Sequence, residues 1–477
     1  MKNLPFFNRR TLYFVFALVL LVMSCREDDP APSVAGSPHA KVNSWILEEM
    51  QFWYLWNDQL PVDPDKTAEP EIFFKSLLSS QDRFSWIQDD YQDLLNSLQG
   101  ISKESGYEFV LYRENEGSSN VIAQILYIKS GSPAEQAGLK RGDVITHVNG
   151  ERLTTSNYQA ALKLIREDHT IQYKPLIIGE GKFDTERTLS VGAVQYSENP
   201  NYLSRVIVAG DKKVGYYVYN FFASGTDGKA DAYDKEMESV FAGFKAQAIT
   251  DLVLDLRFNS GSSEKAATKL ASLIGNGVND SKIFAKRVYN SKVQNEIIND
   301  PKLGSDFLTT RFNNEPANIG SLLTGGRVYV LTSSRTASAS ELVINALKPF
   351  MEVFLIGDIT YGKNVGSISL HAENDPDNKW GLQPIVVKVF NSLDQSDYSN
   401  GFIPNVLHKD NSLYLYPLGD QREALLAQAL GQITGTATSG RQAPQRGVKE
   451  VIGHSLDEKR RSFELVIDQR VLPRQGD

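Results

Sequence analysis

A serine-rich stretch at residues 333–350, SSRTASASELVINALKPF, leads directly into a predicted amphipathic helix. A serine at a helix N-terminus can act as a nucleophile, because free backbone N–H groups and the helix dipole stabilise the negative charge that develops on the attacked carbonyl. The stretch also has a purely structural interpretation. Ser338 and Glu341 have the spacing of a capping box, in which the serine only caps the helix, and on this motif alone the cap is favoured.

A nucleophilic serine needs a base, and none of the six histidines stands beside a motif that would orient it. Lys363 is the alternative, since it follows Gly362 at a predicted tight turn after the buried strand MEVFLIGDIT. A lysine acts as a base only when neutral, and its ordinary pKa of about 10.4 prevents this in water. Burial beside an apolar strand end disfavours the ammonium form and lowers the pKa, so Ser338 and Lys363 form a candidate Ser–Lys dyad.

Strand and helix patterns alternate over residues 199–435, the region that contains both candidates. GYYVYNFF, ITDLVLDLRF, RVYVLTSS and MEVFLIGDIT have the composition of buried strands. The helical pattern DAYDKEMESVFAGFKAQ lies between the first two, and ELVINALKPF lies between the last two. This alternation predicts an α/β domain with largely buried strands.

Residues 41–100 predict a small N-terminal helical domain. In VNSWILEEMQFWYLWNDQL, Ile46, Met50 and Trp53 fall on one stripe of a helix that we expect to run to Pro61, and EIFFKSLLSS gives a second helical pattern. The aromatic stripe indicates a packed core rather than a ligand site.

Short apolar strands, among them YEFVLY, VIAQILYI and DVITHV, occupy residues 101–198. Between the last two, Pro133 can start a short helix and Gly138 can supply its left-handed C-cap. The run SPAEQAGLKRGDVITHVNG resembles the PDZ domain.

The PDZ resemblance implies a groove in which a peptide adds as a strand to a sheet edge, while its terminal carboxylate binds backbone N–H groups of a loop. The matching loop comprises Gly106, Tyr107, Glu108 and Phe109. Polypeptide substrates would then be recruited through their C-termini. The alternative is a degenerate module that only packs against its neighbour.

The N-terminus has the pattern of a signal peptide over residues 1–24. Lys2, Arg9 and Arg10 precede the apolar run TLYFVFALVLLVM, which is too short to span a bilayer. Cys25 follows directly, and its context LVMSC resembles a bacterial lipobox, in which the cysteine is lipidated and becomes the mature N-terminus. The alternative is an incidental cysteine within a cleaved peptide.

Residues 25–40 are rich in Pro, Ser and Ala and predict a tether, and REDD within them resembles the export signal of surface lipoproteins in the Bacteroidetes lineage. These features predict a protein of the bacterial cell envelope that is lipid-anchored to the outer membrane, either periplasmic or surface-exposed. The formal net charge of −8 argues against nucleic acid as a partner. Residues 436–477 form a C-terminal tail to which the sequence assigns no role.

Four motifs follow one another in the order VLDLRFNSG (253–261), TASASE around Ser338, GDITYGK ending at Lys363, and GFIPN (401–405). With the PDZ-like run upstream, they resemble the C-terminal processing peptidases, the S41 serine peptidases, over about residues 41–435. The resemblance implies a multidomain α/β protein whose peptidase domain is of the ClpP/crotonase-like type. It also implies that the reaction uses no cofactor and no metal ion.

The family resemblance assigns roles to single residues. It implies that Ser338 is the nucleophile, that Lys363 is its base, and that the backbone N–H groups of Ala339 and Gly261 form the oxyanion hole. We therefore expect an exported serine endopeptidase that cleaves polypeptides through an acyl-enzyme on Ser338.

Two positions depart from the family pattern. Ser367 stands where family members often carry a glutamine that orients the lysine amine, and its hydroxyl could take over that orienting role. The usual NPGG appears here as NSGS, so Ser262 replaces the second glycine. These departures leave open a second interpretation, an inactive S41-like peptide-binding surface lipoprotein.

Overall fold

The structure is a computed structural model that describes residues 38–98, 101–226, 228–436 and 450–457, together with Val466. The predicted signal peptide, Cys25 and nearly all of the predicted tether lie outside these residues. The described ranges contain no helix that is long and apolar enough to cross a membrane. A helical region, a β-rich domain and an α/β domain follow one another along the chain, which confirms the predicted fold class.

The N-terminal region contains α1 (Ala40–Trp53), α2 (Pro70–Ser76), β1 (Trp86–Gln88) and α3 (Tyr91–Leu98). The predicted stripe of Ile46, Met50 and Trp53 is buried, as expected. The prediction that the first helix continues to Pro61 is wrong. The helix ends at Trp53 because Tyr54 has an extended backbone, with φ −60° and ψ 133°, and its buried hydroxyl donates a hydrogen bond to Asp82.

The N-terminal helices do not form a core of their own. Ile46 and Met50 of α1 and Phe73 of α2 belong to the same buried cluster as Leu254 and Leu342 of the α/β domain. This region is therefore a helical layer on the α/β domain, packed too closely to be a separate body.

The β-rich domain has one main sheet with the strand order β10-β7-β5-β4-β3, in which neighbours are antiparallel. Pro133 begins its short first helix and Gly138 follows it with φ 82°, as the sequence predicts, and Ser132 caps the helix. The elements of this domain are β2 (Ile101–Glu104), β3 (Tyr107–Arg113), β4 (Val121–Ile128), α4 (Pro133–Gln136), β5 (Val144–Val148), β6 (Glu151–Arg152), α5 (Tyr158–Leu164), β7 (His169–Lys174), β8 (Leu176–Ile177), β9 (Lys182–Phe183), β10 (Arg187–Val191) and β11 (Val194–Ser197).

The α/β domain follows and supplies both candidate catalytic residues. Its elements are β12 (Asn201–Ala209), β13 (Lys212–Tyr219), α6 (Ala232–Ala246), β14 (Asp251–Asp255), α7 (Glu264–Ile274), β15 (Ile283–Tyr289), α8 (Ser291–Asn299), β16 (Thr309–Arg311), β17 (Arg327–Thr332), α9 (Ala339–Leu347), β18 (Glu352–Gly357), β19 (Val365–Ser367), β20 (Leu370–His371), β21 (Gly381–Gln383), β22 (Ile385–Phe390), β23 (Val406–Leu407) and α10 (Ala424–Thr434). Short 3₁₀ turns occur at Asn57–Gln59, Ile178–Glu180, Ser305–Leu308, Gly320–Leu322 and Thr324–Gly326.

The main sheet of the α/β domain has the order β12-β13-β14-β17-β18-β23 and is parallel from β13 onward. A second, antiparallel sheet has the order β16-β15-β22-β19, and β1 of the N-terminal region pairs with β21 in a third. Helix α9 connects the parallel strands β17 and β18. Its N-terminus therefore lies at the carboxyl end of the sheet, where ligands bind in open α/β folds.

A fully buried lysine, Lys129, ties the β-rich domain to the connection between β11 and β12 that leads into the α/β domain. The Nζ atom of Lys129 lies 2.5 Å from Glu104 Oε1, 3.1 Å from Glu108 Oε1 and 3.1 Å from Glu198 Oε2. Burial alone would lower the pKa of Lys129, but the three carboxylates raise it well above its ordinary value. The ammonium charge is therefore retained in the folded protein.

Replacing this lysine, Lys129→Met, should lower the free energy of unfolding by about 3–5 kcal/mol, because it leaves buried carboxylates without a cation. The loss should shrink as the pH falls, since the carboxylates then take up protons. Lys286→Met is the matched control: it removes a solvent-exposed pair with Asp394 and should cost about 1 kcal/mol or less. Urea denaturation of both variants measures the difference, and equal losses would contradict the prediction.

Candidate active site

Ser338 lies at the junction between the loop after β17 and helix α9. Its backbone has φ 58° and ψ −112°, a conformation that residues with a side chain rarely adopt, whereas a capping serine has an extended backbone. The residue is fully buried, and its hydroxyl oxygen has no hydrogen-bond partner among the described residues. A capping serine would accept a bond from an N–H group of the first turn. The geometry therefore favours a nucleophile over a cap.

Glu341 accepts four hydrogen bonds that join the loop of Ser338 to the turn of Lys363. Its Oε2 atom accepts the backbone N–H groups of Ser338 at 2.9 Å and of Lys363 at 2.8 Å. Its Oε1 atom accepts the Gly362 N–H at 2.7 Å and the Thr360 hydroxyl at 2.6 Å. Burial raises the pKa of Glu341, and the four donors counteract that rise. One carboxylate thus holds the two candidate catalytic residues side by side.

Gly261 and Ala339, the predicted oxyanion donors, lie directly beside Ser338. A Cβ atom on Gly261 would come within 2.7 Å of the Ser338 Cβ and 2.9 Å of the Ala339 nitrogen, so only glycine fits here. Ala339 is the first residue of α9, and its N–H has no acceptor within the helix. The Gly261 N–H instead donates to Asn259 Oδ1 at 2.9 Å. It can bind an oxyanion only after that hydrogen bond opens.

The loop that carries Gly261 is anchored by the buried side chain of Arg257. This guanidinium forms ion pairs with the buried Asp255 and Glu423 and with the partly buried Asp410. Ser262, which replaces a glycine of the family motif, has φ 112°. Such a conformation costs a residue with a Cβ atom on the order of 1–3 kcal/mol, so the loop has kept a backbone suited to glycine.

Lys363 lies in a buried pocket that the N-terminal region closes. Its side chain is 3% exposed, and its Nζ atom lies 5.0 Å from the centre of the Phe84 ring. Arg83 donates to the carbonyl oxygens of Gly362 and Ser399, both at 2.9 Å. Arg83 and Phe84 could not be predicted from the sequence, because nothing in their local pattern connects them with a turn that begins 279 positions further along the chain, at Gly362.

Ser367 lies in β19 and is fully buried. Its hydroxyl oxygen accepts a hydrogen bond from Gln383 Nε2 at 2.9 Å, and Gln383 Oε1 accepts one from the Ser369 hydroxyl at 2.7 Å. A glutamine side chain therefore lies against position 367, but β21 supplies it. The sequence gives no signal for Gln383, since its pairing with Ser367 depends on how the strands are arranged.

The predicted carboxylate loop lies at the turn into β3. Gly106 has φ 86°, and Tyr107 is part of the domain core. Glu108 and Phe109 instead contact the C-terminal tail: the Ser455 hydroxyl donates to Glu108 Oε2 at 2.6 Å, and the Phe109 N–H donates to Ser455 Oγ at 2.8 Å. Two of the four predicted residues are thus in contact with a segment of the same chain.

Three regions of the chain match models of known families. Residues 213–406 match peptidase family S41, residues 41–86 match the peptidase S41 N-terminal domain, and residues 124–171 match a PDZ domain. These matches occur in the order that the sequence predicts.

Curated proteins with similar sequences include the probable CtpA-like serine proteases of two staphylococci. The chain is 25% identical to that of Staphylococcus aureus (strain COL) over 287 residues, which are 58% of this chain and 50% of that protein. It is 26% identical to that of Staphylococcus epidermidis over 239 residues, 49% of this chain and 40% of that protein. The chain thus spans about half the length of the curated relatives it matches.

A solved structure from Bacteroides fragilis NCTC 9343, assigned to the S41 proteases, resembles the whole described architecture. It is 29% identical, has a TM-score of 0.69, and the match covers 83% of this chain and 98% of that one. Together with the three family matches and the geometry around Ser338, this similarity shows that the chain belongs to peptidase family S41, a family of serine peptidases.

Proposed function

We propose that this protein is an exported serine endopeptidase that cleaves polypeptides through an acyl-enzyme on Ser338, with Lys363 as the general base. One observation carries the proposal: the carboxylate of Glu341 binds the backbone N–H groups of both residues. The buried Ser338 hydroxyl has no hydrogen-bond partner in the described part of the chain, so no described histidine is bonded to it as a competing base.

The proposed reaction begins when the neutral amine of Lys363 takes the proton of the Ser338 hydroxyl. The Ser338 Oγ atom then bonds to the carbonyl carbon of the substrate, and the electron pair of the C=O bond moves onto the oxygen. When that pair returns, the C–N bond breaks and the ammonium of Lys363 gives its proton to the leaving amine. A water molecule releases the acyl group by the same steps, again with Lys363 as the base.

The pocket of Lys363 suits both protonation states that this cycle requires. Burial disfavours an ammonium ion and therefore favours the neutral amine before attack. The face of the Phe84 ring, 5.0 Å from Nζ, attracts the ammonium ion that forms afterwards. Gln383 supports this proposal further, because its hydrogen bond fixes the hydroxyl of Ser367, the residue that stands where the family resemblance implies an orienting glutamine.

The PDZ domain supports a polypeptide substrate, since domains of this type bind extended peptides as added strands. We assign to it the recruitment of substrate segments or the gating of the active site. The relatives are named as serine proteases, which agrees with this assignment of class.

A second candidate function is that of a peptide-binding lipoprotein without turnover. It is favoured by the Gly261 N–H, which donates to Asn259 and leaves the oxyanion hole with one donor, Ala339. The two functions differ in one measurable property, because only the peptidase releases new amino termini from a protein substrate.

We also propose that the protein is exported and lipid-anchored through Cys25 to the bacterial outer membrane. The apolar run that precedes this only cysteine of the chain supports the proposal. Palmitoyl-type acyl chains contribute about 0.8 kcal/mol per buried CH₂ group, and two or more chains anchor a protein stably.

For the dyad, Ser338→Ala and Lys363→Ala should each lower kcat at least a thousandfold, because the first lacks the attacking oxygen and the second lacks a base. The double variant should be little worse, since residues that act as a unit are not additive. Release of amino termini from casein by the full chain measures the rates. The wild-type rate should rise with pH, because only the neutral amine accepts a proton.

Lys348→Ala is the matched control for the dyad. Lys348 is exposed and follows the last residue of α9, and its Nζ atom lies 3.8 Å from the centre of the Phe402 ring. Its removal should leave kcat within about twofold of the wild type. The Ser–Lys mechanism would be ruled out if Lys363→Ala kept a near-normal rate while replacement of one histidine abolished activity.

Glu341→Gln should destabilise the site and lower the activity of the molecules that stay folded. The amide NH₂ group would face two of the four donors, which we expect to reduce the free energy of unfolding by about 2–4 kcal/mol. Glu352→Gln, an exposed change that removes a surface pair with Arg327, should cost about 1 kcal/mol or less. Thermal unfolding and kcat of both variants test the prediction, and a fully active Glu341→Gln protein would contradict it.

Cys25→Ser should release the protein from membranes or block its processing, because serine cannot carry the thioether-linked lipid. The neighbouring change Ser24→Ala should leave both properties intact. Membrane fractionation and intact mass provide the measurements. If neither changes in Cys25→Ser, the protein is not anchored through this residue.

A further inference from the structure

The C-terminal tail adds a strand, β24 (Val451–His454), to the edge of the PDZ sheet beside β3. The two strands are antiparallel, and backbone hydrogen bonds continue the pairing at both ends. The Glu450 carbonyl oxygen accepts the Arg113 N–H at 3.1 Å, and the Ser455 N–H donates to the Phe109 carbonyl oxygen at 3.0 Å. This is the geometry in which PDZ domains bind a peptide, and here the chain itself supplies the peptide.

Apolar side chains anchor the tail segment on both sides of the new strand. Ile452 packs against the core of the PDZ domain, in the cluster that contains Leu111 of β3 and Tyr158 of α5. Leu456 is buried in the cluster that the PDZ and peptidase domains share. Val451, by contrast, is 47% exposed. The groove thus binds the side chains of Ile452 and Leu456 in addition to the backbone of the segment.

The polar contacts of Ser455 are specific for a hydroxyl group. It accepts the Phe109 N–H at 2.8 Å and donates to Glu108 Oε2 at 2.6 Å, and the Glu108 carboxylate in turn pairs with buried Lys129. A terminal carboxylate at this place could accept from Phe109 but would face the negative charge of Glu108. The groove therefore fits an internal peptide segment with a hydroxyl side chain better than a free C-terminus.

The same tail also reaches the peptidase cleft. Asp457 pairs with Arg335, three positions before Ser338, at 3.3 Å. Val466 forms an isolated parallel β-bridge with Ser263, next to the oxyanion loop. It forms a second one with Ser367. Its N–H donates to the Ser262 carbonyl oxygen at 3.1 Å, and its carbonyl oxygen accepts the Glu264 N–H at 3.4 Å. A residue of the tail thus takes the place of a strand between the two sides of the catalytic site.

We propose that residues 450–457 are a tethered internal ligand of the PDZ groove, and that a polypeptide must displace this segment, together with Val466, to occupy the PDZ groove and the peptidase cleft. The consequence for catalysis rests on the proposed peptidase function, whereas the binding itself does not. The external partner is an extended segment that offers an apolar side chain where Ile452 lies and a hydroxyl where Ser455 lies.

Tethering makes the tail a strong competitor. A segment joined to its site by a short linker has an effective concentration in the millimolar range. A free peptide of the same sequence, present at micromolar concentration, therefore binds only to the fraction of molecules whose groove is open. We expect its apparent Kd to be at least about tenfold higher for the intact protein than for one whose tail cannot dock.

The test uses the full chain with Ser338→Ala, so that turnover plays no part, and the labelled peptide EVIGHSLD (residues 450–457). Fluorescence anisotropy compares this protein with one that also carries Ile452→Asp and Ser455→Ala, which remove the apolar anchor and the hydroxyl. The docking-impaired protein should bind the peptide at least tenfold more tightly. The peptide acid and amide should bind alike, and a peptide with alanine in place of serine should bind more weakly.

Val451→Asp is the matched control, because it places the same charge on an exposed neighbour of Ile452 and should leave the apparent Kd unchanged. A chain that ends at Lys449 repeats the comparison without the tail. Equal peptide affinity for the intact and both altered proteins would overturn the proposal. So would a strong preference for the peptide acid over the amide, which would assign the groove to free C-termini.

A second readout separates this inference from the peptidase proposal. With Ser338 intact, Ile452→Asp with Ser455→Ala should raise the rate of casein cleavage, whereas Val451→Asp should not. If no variant cleaves casein but the anisotropy result holds, the peptidase proposal fails and the tethered ligand stands. If casein is cleaved at equal rates by all variants and peptide affinity is also unchanged, the tethered ligand fails and the peptidase stands.

Discussion

The buried carboxylate of Glu341 is the constraint on which the catalytic site depends. Each of its two oxygens accepts two hydrogen bonds. The donors belong to the loop of Ser338 and to the turn between Thr360 and Lys363. Ser338 has a backbone conformation that costs on the order of 1–3 kcal/mol, and hydrogen bonds to a charged group contribute about 1.5–3 kcal/mol each. The carboxylate thus offsets the strain and at the same time fixes the distance between nucleophile and base. Its capping-box spacing with Ser338 is real, and the Ser338 N–H is one of the four donors.

Segments far away in the sequence also hold the catalytic residues in place. The backbone of the Lys363 turn is held from the other side by Arg83, and Phe84 covers the amine. This contact exists because α1 and α2 share one core with the α/β domain. Removing the N-terminal layer would therefore expose the amine to water in addition to destabilising the core. The N-terminal region is part of the catalytic site by packing, although it contributes no reacting atom.

The sequence predicts the parts of the site that lie within one motif and misses those that meet only through the fold. Ser338 and Lys363 follow from residue type, motif order and the lack of a suitable histidine. The helix around Met50 follows from its apolar period, but its end at Trp53 does not, because burial of the Tyr54 side chain overrides helix propensity. Gln383 stands beside Ser367 only because β21 and β19 are brought together.

Residue types alone also left the roles of Ser338 undecided. A capping serine and a nucleophilic serine have the same neighbours in TASASE, and only the positive φ and the hydroxyl without a partner separate them. In the oxyanion loop the role of the residue was predictable, but its hydrogen-bond partner was not. Its glycine was recognisable as one donor, yet the hydrogen bond from Gly261 to Asn259 depends on a side-chain rotamer that no motif encodes.

The oxyanion loop and the tethered segment meet at one short stretch of backbone. Gly261 must turn its N–H away from Asn259 to complete the hole, and the carbonyl of the following residue, Ser262, accepts the N–H of Val466. Both residues have φ values near 110°, a conformation that leaves Ser262 few favourable backbone alternatives. While Val466 is bound, the Ser262 carbonyl has a backbone partner in the tail. Displacement of the tail by a substrate strand would replace that contact with one made by the substrate itself. Binding of the tail and formation of the oxyanion hole thus both involve the backbone of Gly261 and Ser262.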